Sequence, residues 1–558
     1  MKKLWAIVII FIFIPVILHF SYLFDKTVCL FKAPKTQPVN LQPFDRKSSK
    51  VLLVPLDSRP PCLSFVKTLG YIGNFEIITP PENILDNYNT PAPLLKINEW
   101  FTKKIKEVDA AIISVDMLCH GGLIASRSPK NTPDWEKQIF QNLSELPQNT
   151  TPWVYAFSII PRLLIPENDA TKLWQYHVMI YTTRRDMNDN FQNPRDFDRM
   201  QEMLRRVPPE LISGFNKLYE KNDVFNRKLA SLQNKNVFAG LIFGQDDGHP
   251  FGRPNQSKHK IEKFATQNNL SSKITTSYGA DEVAMLQLAA YANKKNNYQP
   301  KVFVAYSDET VPDMVLHFMP TTIAKIVQEK LTATGAISVN EKQTADLILF
   351  VHVGKNSTNS ADLRKIATEI QSLAQEKPLA LIDLSANFKQ RETVLGTLLN
   401  ENVPVSCLAA YAGWNTAGNS VGTALVQGLL FIKQKESIDK QYLPYLYQKN
   451  FEFTLARILD DWAYQKDVQS TNNNLLRWQG INPYNLGAQK NAVQKNINYN
   501  LIRRKEHLFY KNIRLYPFYS DGDHHYYVTQ LDIDVSLPWA RTFEINLEIS
   551  TKVGVTKY

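Results

Sequence analysis

Val237-Phe238-Ala239-Gly240-Leu241-Ile242-Phe243 runs directly into Gly244-Gln245-Asp246-Asp247-Gly248-His249. An uncharged run of this length, closed by glycine and acids, reads as a strand buried on both faces that ends in a polar loop. The same pattern recurs at Val51–Pro55, Phe75–Thr79, Ala110–Val115, Trp153–Ile159, Lys301–Tyr306, Leu347–Val353, Leu379–Leu384 and Val405–Ala410. Each run is followed by polar residues and then a longer helical stretch. Continuous apolar strands alternating with helices predict an α/β fold with a mostly parallel sheet covered on both sides. Nine strands fit a (β/α)-barrel with an extra strand or two doubly wound sheets, and the barrel-like arrangement is the preferred expectation. No repeat of fixed period is present, which excludes solenoids and propellers.

The flanks read differently. Leu4 to Phe24 is apolar apart from His19 and Ser21, follows Lys2 and Lys3, and is not followed by a small-residue cleavage site. About 20 apolar residues span a bilayer. Residues 1–30 are therefore expected to be an uncleaved single-pass anchor, with the bulk of the chain extracytoplasmic. Residues 31–49, with Pro34, Pro38 and Pro43, read as a linker, and 50–430 as the α/β domain. Long polar helices over 164–235, for example Asp196–Arg206, read as an insertion over one end of the sheet. Residues 431–558 read as a C-terminal extension, helical at first and then alternating like antiparallel strands through His525–Leu531 and Arg541–Ile549.

Composition narrows the class. The chain has 558 residues, 44% hydrophobic and 21% charged, with a formal net charge of +11. Its basic residues are dispersed and accompany no nucleic-acid motif, so no nucleic-acid partner is expected. The four cysteines, Cys29, Cys62, Cys119 and Cys407, lack metal-ligand spacing, so no CxxC zinc site is expected. A disulfide between two of the last three and buried free thiols are both open.

Ligands of parallel α/β folds bind at the carboxyl ends of the strands, so the residues after each run are the candidates. They are Asp57 and Arg59; Asp116, His120 and Arg127; Arg162; Gln245, Asp246 and Asp247; Asp308; and Tyr411, Trp414, Asn415 and Asn419. Asp281 and Glu282 stand at the start of a helix, where acids suit the dipole. Two segments resist a purely structural reading. In the first, Gly244–His249, adjacent carboxylates repel, which raises one pKa; an ionised acid beside a protonated one is what glycosidic cleavage requires. In the second, Gly413–Asn419, glycines allow close approach, Trp414 is placed to stack on a sugar, and Asn415 and Asn419 offer donors and acceptors.

These segments resemble an uncharacterised bacterial family, the domain of unknown function numbered 4127. The resemblance rests on Pro55-Leu56-Asp57-Ser58-Arg59-Pro60, Gly121-Gly122-Leu123-Ile124-Ala125-Ser126-Arg127, Gln245-Asp246-Asp247, Gly279-Ala280-Asp281-Glu282, Tyr411–Asn419 and Pro538-Trp539-Ala540-Arg541-Thr542-Phe543-Glu544. It implies relatives and no reaction, and it adds weight to Asp281 and Glu282. Asp246-Asp247 also looks like the paired acids of barrel glycosidases that cleave N-acetylhexosamine linkages. In those enzymes one acid orients the substrate acetamido group and the other protonates the leaving oxygen. The expected function is thus an envelope-facing glycoside hydrolase acting on a glycan or other envelope polymer. Asp246 and Asp247 would be catalytic, the other candidates would bind substrate, and no metal or cofactor is required. The alternatives are a metal-dependent phosphoester or ester hydrolase using Asp57, Asp116, Asp246 and Asp247, and a non-catalytic glycan-binding protein.

Overall fold

The computed structural model describes residues 33–44, 49–127, 133–146, 152–166 and 171–557. Its first strand, β1 (Gln37–Val39), falls within the expected linker and pairs with the end of the chain. The strands β2 (Ser49–Val54), β3 (Phe75–Ile78), β4 (Ala110–Ser114), β5 (Trp153–Ile160), β6 (Gly240–Gln245) and β7 (Ile274–Tyr278) follow. They form a six-stranded, wholly parallel sheet in the order β3-β2-β4-β5-β6-β7. The next five, β8 (Lys301–Tyr306), β9 (Ile337–Val339), β10 (Leu347–Gly354), β11 (Leu379–Ser385) and β12 (Leu408–Ala412), form a second parallel sheet ordered β12-β11-β10-β8-β9.

The α/β class and the mostly parallel sheets therefore hold, but the preferred barrel does not: the strands form two open sheets. Counted within itself, each sheet begins with the order 2-1-3-4-5, one of the doubly wound arrangements. The two halves share this topology without a sequence period.

Strand pleating explains the layering. Val51, Leu53, Ala110 and Ile112 face one way and enter a core that also contains Leu347, Leu349, Val351, Ala380 and Ile382 of the second sheet. Between the sheets lie the helices Ser64–Ile72, Val283–Lys295, Ile323–Thr334 and Ala417–Ser437. Alternate residues Leu52, Val54, Ala111 and Ile113 pack on the opposite side. There they meet helices that include the insertion, Gln175–Phe191, Pro194–Arg206 and Pro209–Leu232. Each fully buried aliphatic side chain contributes roughly 1.5–3 kcal/mol, and with two such faces per strand the register cannot slip by one residue.

The outer face of the second sheet carries the C-terminal part of the chain. Helices Leu443–Arg457, Gln469–Trp478 and Lys490–Leu508 pack there, the first two joined by a π-helix, Ile458–Val468. The long strands β14 (His524–Ser536) and β15 (Asn546–Lys557) form an antiparallel sheet with β1 and the short β13 (Tyr519–Ser520). Among the described residues no helix is long and apolar enough to cross a membrane; the expected anchor over 1–30 lies outside them. Cys62, Cys119 and Cys407 are free thiols, and Cys29 is outside the described residues.

Candidate active site

The carboxyl ends of the first sheet gather the charged residues. After β2, Asp57 accepts the Arg59 amide at 3.0 Å, which turns the chain so that the Arg59 guanidinium folds back on the same carboxylate. The guanidinium then spans to the loop after β7. It donates to Asp57 at 2.7 Å and to Asp281 at 2.6 Å, with all three side chains buried. Burial pushes the Asp281 carboxyl up to about 6 in spite of Arg59 beside it. Asp86, whose carboxylate accepts the Ser58 amide at 2.8 Å, is pushed up to about 8 by burial and by the charge of Asp57.

After β6 stands the acid pair. Asp246 accepts the Asp247 amide at 2.8 Å on one oxygen and forms an ion pair with Arg127 through the other. Both of its oxygens are thus committed to donors. Asp247 is half-buried, and its carboxyl accepts no hydrogen bond from another described residue. Burial first, and then the neighbouring Asp246 charge, push it up to about 7. Its carbonyl accepts the Leu163 amide at 2.8 Å, which fixes the loop after β5 and brings Arg162 alongside. Arg162 donates from Nε to the Leu164 carbonyl at 3.2 Å. Asp281 feels the charges of Asp57 and Asp246, so the loops after β2, β5, β6 and β7 share one electrostatic centre.

The C-terminal segment covers this centre. Trp539, 1% exposed, donates from Nε1 to the Ser58 hydroxyl at 3.0 Å and lies 5.4 Å from the Arg59 guanidinium. Arg541 is clamped by Glu544 in a two-pronged pair at 2.7 and 2.8 Å and stacks on Tyr88 and Trp539. Two exposed aromatic residues stand in loops of the second sheet, and the first is tied to the loop that carries the acids. Phe318 (φ 62°) and Phe388 (φ 56°) are 44% and 45% exposed, and the Phe318 carbonyl accepts the Gly248 amide at 2.9 Å. Left-handed backbone is an outlier for a bulky residue and is retained where surrounding structure imposes it.

The sequence candidates divide accordingly. Asp57, Arg59, Arg127, Arg162, Asp246, Asp247 and Asp281 come together. Asp116 shares no hydrogen bond with them: it is fully buried and braces β5 by accepting the Ile159 amide at 2.8 Å, with its carboxyl pushed up to about 7 by burial. His120 stacks near Phe225 at 5.1 Å and is held neutral, its pKa lowered to about 4 by burial. Gln245 donates to Asn255 at 2.9 Å. Glu282 is buried in an ion pair with Lys330, which also donates to Ser277 at 2.8 Å. Asp308 lies at the end of β8, paired with Lys355 at 3.2 Å.

The Tyr411–Asn419 segment is packed rather than open. Tyr411 donates to Asp383 at 3.3 Å, and Trp414, 4% exposed, packs edge-on against Phe65 at 6.3 Å. Asn415 is half-buried with φ 49°, and Asn419 is buried. The Gly413 amide donates to Asp461 of the π-helix at 2.9 Å, and the Gly413 carbonyl accepts from Lys466. Close backbone approach does account for the glycines: a Cβ on Gly418 would stand 2.5 Å from the Tyr278 carbonyl oxygen.

Among the described residues, the group with three metal-type ligands within 4.8 Å of one another is Asp57, Cys62 and Asp281. Arg59 already occupies both of its carboxylates, and the four acids Asp57, Asp116, Asp246 and Asp247 do not converge as one ligand set.

The sequence model of a family described as a protein of unknown function (DUF4127) matches residues 51–548. The chain belongs to this family. The DUF4127 match spans both parallel sheets and reaches the Trp539–Glu544 cover, so the whole charged centre is inside it. No curated protein and no solved structure matches the chain.

Proposed function

We propose that the chain is a hydrolase of glycosidic linkages in which Asp247 is the general acid. The observation that carries this reading is the division of labour in the acid pair. Both oxygens of Asp246 are taken, one by Arg127 and one by the Asp247 amide, while burial pushes the Asp247 carboxyl up to about 7 and no other described residue donates a hydrogen bond to it. A protonated carboxyl beside a fixed carboxylate serves to protonate a leaving oxygen while the second charge steadies the cationic transition state. Phe318, exposed beside the Gly248 turn, offers an apolar face for a sugar ring where Trp414 is packed away. An acetamido group on the substrate fits the same reading, with Asp246 as its orienting acid.

The proton must be on Asp247 for catalysis, so turnover should fall as pH rises through about 7. Asp247→Asn should lower turnover on unactivated linkages by about 10²–10⁴-fold, and much less on aryl glycosides whose leaving group needs no proton. Equal rates for wild type and Asp247→Asn on both substrate types would remove Asp247 from the chemistry. Sugar binding without turnover by wild type would favour the non-catalytic alternative.

A further inference from the structure

Four arginines surround the acid pair, and three have carboxylate partners. Arg59 is shared by Asp57 and Asp281, Arg127 holds Asp246, and Arg541 holds Glu544. Arg162 is the exception. Its hydrogen-bond acceptor is the Leu164 carbonyl, and among the described residues no carboxylate oxygen lies within 4 Å of its guanidinium. Burial, and next the Arg127 charge, lower its pKa. The nearby Asp246 and Asp247 offset this only in part. Beside it, the Nε of Arg127 is buried without a hydrogen-bond partner among the described residues. Arg162 is half-buried, and a partly desolvated guanidinium with no carboxylate partner gains charge-assisted hydrogen bonds once an oxyanion accepts from it.

We propose that the charged centre at the strand ends receives a sugar carrying an oxyanion, a carboxylate or a phosphate, and that Arg162 is its receptor with Arg127 Nε as a second donor. The proposal deepens the hydrolase reading and rests on it for the sugar. Arginine suits the task because its planar fork matches carboxylate and phosphate geometry. The placement is selective as well: a neutral sugar leaves the Arg162 donors unmatched, and a site built around a charged partner rejects analogues lacking it.

The test titrates the full chain by calorimetry at low salt with D-glucuronate, glucose 6-phosphate and D-glucose. At least one anionic probe should bind about tenfold or more tightly than glucose, the worth of a hydrogen bond to a charged group. Preference for glucuronate or for the phosphate tells which oxyanion is meant. Arg162→Gln should abolish the preference while leaving glucose affinity unchanged, and Arg162→Lys should restore part of it. A merely structural arginine would instead affect all three probes alike. Equal affinity for the three probes, or a preference that survives Arg162→Gln, overturns the proposal. Hydrolysis is scored separately on p-nitrophenyl glucuronide and p-nitrophenyl glucoside. Charge-selective binding with neither substrate cleaved sinks the hydrolase reading alone; cleavage without charge selectivity sinks the oxyanion receptor alone.

Discussion

Replacing Arg59 by methionine isolates the ion network that ties the loop after β2 to the loop after β7. The guanidinium donates to Asp57 at 2.7 and 2.9 Å and to Asp281 at 2.6 and 3.3 Å. Asp57 is 0% and Asp281 6% exposed, so neither carboxylate gains water when the arginine goes. Removing one partner of such a buried arrangement costs about 3–5 kcal/mol. The loss should depend on pH. Asp281 sits near 6 even with the cation beside it, and without the cation its pKa rises further. A raised carboxyl pKa means stability that is present at low pH and is lost as pH climbs through that value. Arg59→Met should therefore lose the full amount at pH 8 and about 1–2 kcal/mol less at pH 5, each tenfold change in proton affinity being worth about 1.4 kcal/mol. At roughly 1 °C per kcal/mol for a chain of 558 residues, the melting temperature should fall about 3–5 °C at pH 8 by scanning calorimetry. Adding Asp281→Asn should recover part of the loss at pH 8 and little at pH 5. A shift below about 2 °C at pH 8, or the same shift at both pH values, would refute a network held by charge.

Three further outcomes are expected. Asp116 carries a carboxyl pushed up to about 7 by burial, so wild type should lose about 2–3 kcal/mol between pH 5 and pH 8 that Asp116→Asn retains. Unfolding curves with parallel pH dependence would show that Asp116 is ionised without penalty. Gly418→Ala places a Cβ 2.5 Å from a backbone oxygen, whereas Gly396→Ala meets nothing nearer than Trp462 at 3.6 Å. The first should destabilise by about 1–3 kcal/mol and the second should be neutral or slightly stabilising, as denaturant midpoints will show; the reverse ranking counts against the packing argument. Finally, if residues 4–24 anchor the chain with its bulk extracytoplasmic, protease added to intact cells should digest the part after residue 30, and full protection until lysis would reverse that placement.

The strand ends were readable because polarity changes abruptly there: Asp57, Asp246 and Arg162 each close a run of buried residues. β7 lacked that contrast. Ile274-Thr275-Thr276-Ser277-Tyr278 is a polar strand, so Asp281 read as the first acid of a helix, and its partnership with Arg59 depends on a strand that hydrophobicity does not reveal. The choice between barrel and open sheets was equally hidden, since it depends on which strands pair and not on what each contains. Trp414 shows another limit: an aromatic among glycines suggests a stacking platform, yet Phe65 covers it. Phe318 and Phe388 lie in ordinary-looking loops, and their left-handed backbone has no local signature such as glycine or asparagine. Trp539 and Arg541 stood out only through the family resemblance, because they reach the centre from the far end of the chain.

That far end has a consequence for how the molecule is made. β1 pairs Gln37 with Val555, and Trp539 reaches back to Ser58. At about 5–20 residues per second, β1 waits on the order of half a minute or longer on the ribosome before its partner strand exists. Through that time the acids of the first sheet are already synthesised, but the lid over them is not. A chain stalled at residue 530 holds Asp246, Asp247 and Arg162 yet lacks Trp539, Arg541 and Glu544. The cover that Trp539 and Arg541 place over Ser58 and Arg59 thus forms long after the acid pair has been made.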